Sequence, residues 1–154
     1  MKPITSRAIV GGLGAGLLVA LAACDPGPTS SRGFRLPDGD VEAGKAAFVA
    51  LRCNACHTVE GTQLPPPETT GPVEVHLGGK VHRVRTYGEL VTAIIHPSFD
   101  LARGYPAEEI SRDGTSIMPD FDSAMTVRQM VDLVAFLQST YSEYLPDEYA
   151  PYFP

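Results

Sequence analysis

Basic residues are scarce in this chain. Its 154 residues include 12 lysines and arginines against 18 aspartates and glutamates, which gives a formal net charge of −6 at pH 7. Lys2 and Arg7 lie in an N-terminal segment that we expect to be removed, so the mature chain keeps 10 basic residues and a charge of −8. Because the phosphate backbone of nucleic acids attracts basic surfaces, this composition argues against a nucleic-acid partner. It favours a partner that presents a basic surface, and the alternative is that the charge serves only solubility.

Long apolar runs are also missing after the first 23 residues. The basic start is followed by the apolar stretch 8–23, which contains four glycines and falls short of the about 20 apolar residues that a membrane-spanning helix needs. A short apolar stretch after a basic start is typical of a secretory signal peptide. We therefore expect residues 1–23 to be a signal peptide and the protein to be exported.

The signal ends in Leu21-Ala22-Ala23-Cys24, which resembles the lipobox of bacterial lipoproteins. That resemblance implies that the chain is cut before Cys24, that its thiol is diacylated and that several acyl chains anchor the protein to a membrane. Asp25 implies retention at the inner membrane, on its periplasmic side. Residues 24–38 are rich in proline, glycine and serine, so we expect a flexible linker. The alternative is a signal cut at an Ala-x-Ala site, with Cys24 as an unused thiol.

Cysteine is rare as well, with three in the chain, and the length leaves room for one domain. The other two cysteines lie in Cys53-Asn54-Ala55-Cys56-His57. Two thiols three positions apart match the two neighbouring vinyl groups of a haem, and the histidine that follows binds the iron. This pentapeptide predicts one covalently bound haem c, with His57 as an axial ligand, and leaves no cysteine for a disulfide.

Two other kinds of site use a Cys-x-x-Cys pair. A thioredoxin-like redox pair lies in a βαβ setting, and a structural zinc site needs a second pair of ligands. The sequence shows neither context around Cys53 and Cys56. Haem attachment also fits an exported protein, because c-type haem is attached outside the cytoplasmic membrane.

Three stretches combine a helix-start signal with apolar residues at intervals of three and four. Asp40 predicts the start of a first helix, which leads to the haem motif. Thr86-Tyr87-Gly88-Glu89 is a capping box that predicts a short second helix, ended by His96-Pro97. Thr126-Val127-Arg128-Gln129 is a second capping box and predicts the longest helix, which we expect to reach Tyr141.

These features resemble the class I cytochromes c. Gly44 and Phe48 precede the haem motif, Gly71-Pro72 follows it, and the segment 132–137 lies near the end of the chain, as in that family. The resemblance implies a mainly α fold, with three to four helices around one haem, over residues 39–142.

The resemblance also implies contacts that hold the haem. In the family the first and last helices cross where a glycine lets an aromatic ring approach, and the matching positions are Gly44 and Phe136. The Pro72 carbonyl would orient the ring of His57. The chain has no tryptophan, so the indole that many relatives place against the haem propionates is replaced or absent. The candidates to pair with the propionates are Arg83, Arg85, Tyr87 and Tyr105.

A second axial ligand is implied in the loop before the last helix, where Met118-Pro119 stands. A thioether binds ferrous iron well and raises the reduction potential, while the proline stiffens the loop. Met125 is a nearby alternative, whereas Met130 fits the apolar face of the last helix. A histidine in place of the methionine would give a haem of lower potential; the candidates are His76, His82 and His96.

Apolar and polar residues alternate on both sides of Gly78-Gly79 in the segment 73–84. This pattern predicts a β-hairpin inserted in the helical fold. With that turn, Glu74 would face Arg83 across the two strands. Residues 143–154 form a tail rich in proline and tyrosine, which we expect to dock on the domain or on a partner, or to stay loose.

The resemblance implies a membrane-anchored monohaem c-type cytochrome that carries single electrons between redox protein partners outside the cytoplasmic membrane. Iron bound by both His57 and Met118 has no open site for a substrate, so no residue is expected to be catalytic. Two alternatives stay open. One is a haem-bearing electron-transfer subunit of a larger oxidoreductase complex. The other is a ligand-binding haem sensor or enzyme, if Met118 does not bind the iron.

Overall fold

The computed structural model describes residues 34–144. The expected signal peptide, Cys24, the linker up to residue 33 and the tail after Tyr144 lie outside the described residues. Within that range, the elements in chain order are α1 (Val41–Ala50), a 3₁₀ helix (Cys53–Ala55), β1 (His57–Val59), β2 (Val75–Leu77), β3 (Gly79–Val81), α2 (Tyr87–Ile95), α3 (Ala107–Ile110), β4 (Ser111–Arg112), β5 (Thr115–Ser116), α4 (Val127–Ser139) and β6 (Tyr141–Glu143). None of the described helices is both long and apolar enough to span a membrane.

The three predicted helices are present, and each is capped at the predicted residue. Asp40 caps α1 by accepting a hydrogen bond from the Ala43 N–H at 2.8 Å. Thr86 and Thr126 start α2 and α4 with complete capping boxes, in which the side chain three positions on bonds back to the threonine N–H. The last helix ends two residues before its predicted end, because the chain turns into β6. The short helix α3 was not predicted.

The core lies between α1, α2 and α4, with one residue of β1 added. These elements contribute the buried apolar side chains Ala47, Phe48, Val59, Leu90, Val91, Ile94, Leu133, Val134, Phe136 and Leu137. Helix α4 has the longest buried face, and α1 lies against it. The mainly α fold with a family-like helix pair is therefore confirmed.

Helices α1 and α4 cross at the predicted glycine. A Cβ atom on Gly44 would lie 2.0 Å from the backbone oxygen of Asp132 and 2.7 Å from the Cβ of Phe136. The rings of Phe48 and Phe136 meet edge to face beside this point, with their centroids 5.7 Å apart. The buried carboxylate of Asp132 accepts the Asp40 N–H at 2.9 Å, which ties α4 to the start of α1.

The predicted hairpin at residues 73–84 is wrong. Strands β2 and β3 do not pair with each other: β2 runs parallel to β1, and β3 runs parallel to β6. Alternating apolar and polar residues favour a strand but do not specify its partner. Here each strand pairs with a strand from another part of the chain. The predicted pairing of Glu74 with Arg83 is therefore not made. Glu74 Oε1 lies 3.6 Å from His76 Nδ1, and the Arg83 guanidinium pairs with the carboxylate of Glu89.

A true hairpin lies further along the chain. Strands β4 and β5 are antiparallel and joined by Asp113-Gly114, two residues with φ angles of 50° and 78°. Two successive positive φ angles are the mark of a type I′ turn, for which Asp-Gly is a preferred sequence. This hairpin delivers the chain to Met118.

The crossing predicts a stability effect at one glycine. Gly44→Ala should lower the free energy of unfolding of the haem-loaded protein by about 1–3 kcal/mol, because the added methyl group forces α1 and α4 apart. Gly88→Ala in α2 is the matched control, since its Cβ would meet only the Thr86 hydroxyl, 4.0 Å away. That control should be neutral, or stabilising by up to about 1 kcal/mol. Denaturant unfolding of both variants checks this, and equal stabilities would contradict the close crossing.

Candidate functional site

The haem motif follows directly from the end of α1. After Leu51, the chain reverses through Arg52, whose φ of 61° and ψ of 25° place it in the left-handed region. The 3₁₀ helix then begins at Cys53 and closes with the Cys56 N–H donating to the Cys53 carbonyl at 3.2 Å. The two cysteines therefore stand at the ends of a single turn, as their spacing predicts. Because α1 is held by α4, this turn has a fixed place in the fold.

Both thiols are free and half-buried. Cys53 packs against the core, and burial raises the pKa of its thiol to about 11. A thioredoxin-like nucleophile needs a lowered pKa, so the environment of Cys53 argues against that role. The described residues contain no group of three or more histidine, cysteine, aspartate or glutamate side chains placed to hold a metal ion.

The segment after Gly71 wraps closely around Cys56. The Gly71 N–H donates to the Ala55 carbonyl at 2.7 Å, and the Val75 N–H donates to the Cys56 carbonyl at the same distance. A Cβ atom on Gly71 would lie 2.0 Å from the Cys56 sulfur. Only a residue without a side chain therefore leaves room for this sulfur.

His57 begins β1, and its ring lies partly inside the domain. The ring packs edge-on against Phe48, with centroids 6.4 Å apart, and burial lowers the pKa of His57. The Val75 backbone, which pairs with His57 between β1 and β2, offsets part of that lowering of the pKa by its electrostatic effect, although Nδ1 makes no hydrogen bond of acceptable geometry. The lowered pKa favours the neutral imidazole, which is the form that binds metals.

The Nδ1 atom of the His57 ring lacks a hydrogen-bond partner. It is buried, and no described group donates a hydrogen bond to it or accepts one from it. The expected bond to the Pro72 carbonyl is therefore not made in this structure. A buried ring nitrogen without a partner is costly, and in haem and metal sites the nitrogen opposite the metal usually donates to a carbonyl.

Met118 lies in the loop that follows the β4–β5 hairpin and is half-buried. Of the three methionines in residues 34–144, Met125 and Met130 pack against the core cluster and Met118 does not. Core packing is the usual role of a methionine, and it explains Met125 and Met130. It does not explain Met118.

The three alternative histidines are exposed. His76 shares a hydrogen bond of 2.7 Å with the Thr58 hydroxyl. His82 stacks near Tyr144 and His96 near Phe99, with centroid distances of 5.4 and 5.8 Å. None of them belongs to the buried cluster around which the haem motif is built.

Two of the four propionate candidates already have strong partners. Arg83 forms a two-pronged ion pair with Glu89 at 2.7 and 2.8 Å, and this pairing lowers the pKa of Glu89 to about 2. The Tyr105 hydroxyl accepts the His76 N–H at 3.1 Å. Arg85 makes a looser contact of 4.0 Å with Asp100. Of the two arginines, Arg85 is therefore the less engaged.

Sequence patterns gave no sign of two serines beside Met118. Ser116 accepts the Met118 N–H at 3.1 Å, and its own N–H donates to the Ser98 hydroxyl at 3.0 Å. The second contact joins residues 18 positions apart, which no local pattern encodes. The Asp113-Gly114 turn was a readable signal that the chain bends back just before Met118.

Comparison with known proteins agrees with this site. A family model described as Cytochrome c matches residues 41–141, well over half of the chain. No curated protein and no solved structure gives a significant match. The matched range contains Cys53, Cys56, His57 and Met118. In the structure it forms a fold with four α-helices. The chain therefore belongs to the cytochrome c family, which transfers electrons with redox protein partners by means of covalently attached haem c.

Proposed function

We propose that this protein is a membrane-anchored, monohaem cytochrome c that carries single electrons between protein partners outside the cytoplasmic membrane. The arrangement of residues 53–57 is the observation that carries the proposal. Two free thiols stand on one helical turn, and an imidazole with a lowered pKa follows at once. In this proposal the protein is a carrier and not an enzyme.

Cys53 and Cys56 would hold the haem through thioethers, and His57 and Met118 would bind its iron. Cys53 and Cys56 stand at the two ends of one 3₁₀ turn, and Met118 is half-buried but outside the core cluster; both observations support these roles. A bound haem supplies a one-electron couple whose potential depends on its axial ligands and its burial. The chain's own part is to fix both ligands from separate segments and to keep water from the site.

Pro72 would orient the His57 ring by accepting a hydrogen bond from Nδ1. Nδ1 is buried and lacks a partner, so it needs an acceptor. Pro72 directly follows Gly71, which is bonded to the haem motif through the Ala55 carbonyl. If this segment moves on haem binding so that the Pro72 carbonyl reaches Nδ1, that hydrogen bond would fix the tautomer of the ligand.

Export and anchoring rest on the sequence before residue 34. The lipobox-like end of the signal peptide supports acylation of Cys24, and Asp25 supports retention at the inner membrane, on the periplasmic side. The linker 24–38 would act as a tether that lets the haem domain reach partners at some distance from the lipid, with its last residues docked on the domain, where Leu36 packs against the core cluster. Such reach suits a carrier that moves between a donor and an acceptor.

The acidic composition supports a partner with a basic docking surface. In the segment from α3 to the start of α4, Glu108, Glu109, Asp113, Asp120 and Asp122 are all exposed. Arg112 is the basic residue between α3 and α4. Its guanidinium donates hydrogen bonds to the backbone carbonyls of Glu108 and Ser111. These carboxylates lie within ten positions of Met118, so the sequence around the proposed haem ligand is acidic.

Replacing Met118 tests the proposed ligation. Met118→Ala should leave the haem covalently attached, remove the near-infrared sulfur-to-iron band of the oxidised protein and lower its reduction potential, because the thioether ligand is lost. Met130→Ala is the control, since Met130 packs against the core; it should lose stability and keep the band. Optical and near-infrared spectra during a potentiometric titration give both readings. An unchanged band in Met118→Ala would move the ligand role first to Met125, and ready binding of carbon monoxide by the parent protein would favour the sensor alternative.

Replacing Cys24 tests the anchor. In the native bacterium, Cys24→Ala should move the haem-loaded protein from the membrane fraction to a soluble fraction, or leave its signal peptide uncut, since no thiol remains to be acylated. The haem motif is unaffected, so the haem content of the protein should stay the same. Mass spectrometry of the mature N-terminus is the direct measurement. A parent protein without acyl chains on Cys24 would contradict the anchor and leave the haem assignment intact.

Salt tests the charge of the partner surface. The second-order rate of electron transfer with a basic redox protein should fall as ionic strength rises from 10 to 500 mM, because salt screens attraction between opposite charges. The control is a small uncharged reductant, whose rate should change little. Stopped-flow measurements at constant pH give both rates. A rate that rises with salt would contradict an acidic docking surface on this protein, and with it the basic surface proposed for its partner.

A further inference from the structure

Three successive backbone N–H groups leading to Met118 are each bound by a specific acceptor. The Ser116 N–H donates to the Ser98 hydroxyl at 3.0 Å, and the Ile117 N–H donates to the Ile110 carbonyl at 3.0 Å. The Met118 N–H donates to the Ser116 hydroxyl at 3.1 Å. The backbone is thus fixed up to the residue that carries the proposed ligand, although this segment is a loop.

The first of these acceptors is itself held by the core. Helix α2 packs Leu90, Val91 and Ile94 into the core cluster and ends at His96. A turn follows, in which the Phe99 N–H donates to the His96 carbonyl at 2.9 Å, with Pro97 at the position that favours such turns. Ser98 therefore has a fixed position. Two hydroxyls connect the end of a core helix to the Met118 backbone.

We propose that Ser98 and Ser116, called here the serine pair, are positioning residues that hold Met118 in place for the iron. This inference rests on the proposed role of Met118 as a ligand. A ligand carried by a loop binds well only if the loop is already in the bound conformation, since ordering it on binding reduces the net affinity. The serine pair supplies that order through hydrogen bonds to the backbone of Ser116 and Met118.

The account predicts that the serine pair governs how easily an added ligand displaces Met118. Imidazole added to the oxidised, haem-loaded protein competes with the Met118 thioether for the iron. Loss of the near-infrared sulfur-to-iron band measures how much imidazole has bound. Because one neutral hydrogen bond changes an equilibrium by roughly fivefold, imidazole should bind about fivefold more tightly to Ser116→Ala than to the parent. Ser98→Ala should change the affinity in the same direction.

Two controls separate positioning from general stability. Ser116→Thr keeps the hydroxyl and suits the strand β5, so it should bind imidazole like the parent. Ser123→Ala removes an exposed serine from the same loop and should have no effect. Thermal unfolding is measured alongside. If Ser116→Ala and Ser98→Ala lower the unfolding temperature while imidazole affinity stays at the parent value, the serines only stabilise the fold and the inference is overturned.

Met118→Ala distinguishes failure of this inference from failure of the proposed ligation. If that variant keeps the sulfur-to-iron band, Met118 is not the ligand, and both the ligation and the role of the serine pair are refuted. If it loses the band while Ser116→Ala and Ser98→Ala bind imidazole like the parent, the ligation stands and the serine pair alone is refuted. If Ser116→Ala does not fold, Ser98→Ala and Ser116→Thr still decide the question.

Discussion

Helices α1 and α4 approach so closely that the backbone oxygen of Asp132 lies where a side chain on Gly44 would begin. This contact fixes the direction of α1, and the haem motif starts three residues after that helix ends. Phe48, which packs on Phe136 in the crossing, also touches the ring of His57. The position of the proposed iron ligand therefore depends on a contact between Gly44 and Asp132, which are 88 positions apart in the chain.

The second half of the site is built by different means. Met118 stands on a loop whose order comes from the β4–β5 hairpin, the contact with Ile110 and the hydroxyls of Ser98 and Ser116. The two proposed axial ligands thus come from independently supported segments, one fixed by helix packing and one by hydrogen bonds. A pair of ligands held in this way needs little rearrangement when the charge of the iron changes, as a carrier of electrons requires.

Local signals predicted the helices well and the strands poorly. Asp40, Thr86 and Thr126 cap the helices that they predicted, because a cap depends only on residues three positions away. The crossing at Gly44 was predicted from family resemblance. The hairpin around Gly78-Gly79 was wrong because β2 and β3 pair with β1 and β6, and strand partners are chosen by the whole fold. The Ser98–Ser116 contact was beyond sequence reasoning for the same reason, since nothing local links those residues.

The central claim is that Cys53 and Cys56 carry a haem, with His57 beside them. Mass spectrometry of the peptide that contains Cys53–His57, taken from protein made in its native host, tests this most directly. The account predicts that this peptide carries the mass of one haem on its two cysteines, with no free thiol remaining. A peptide with unmodified cysteines, or with a disulfide between them, would contradict the account.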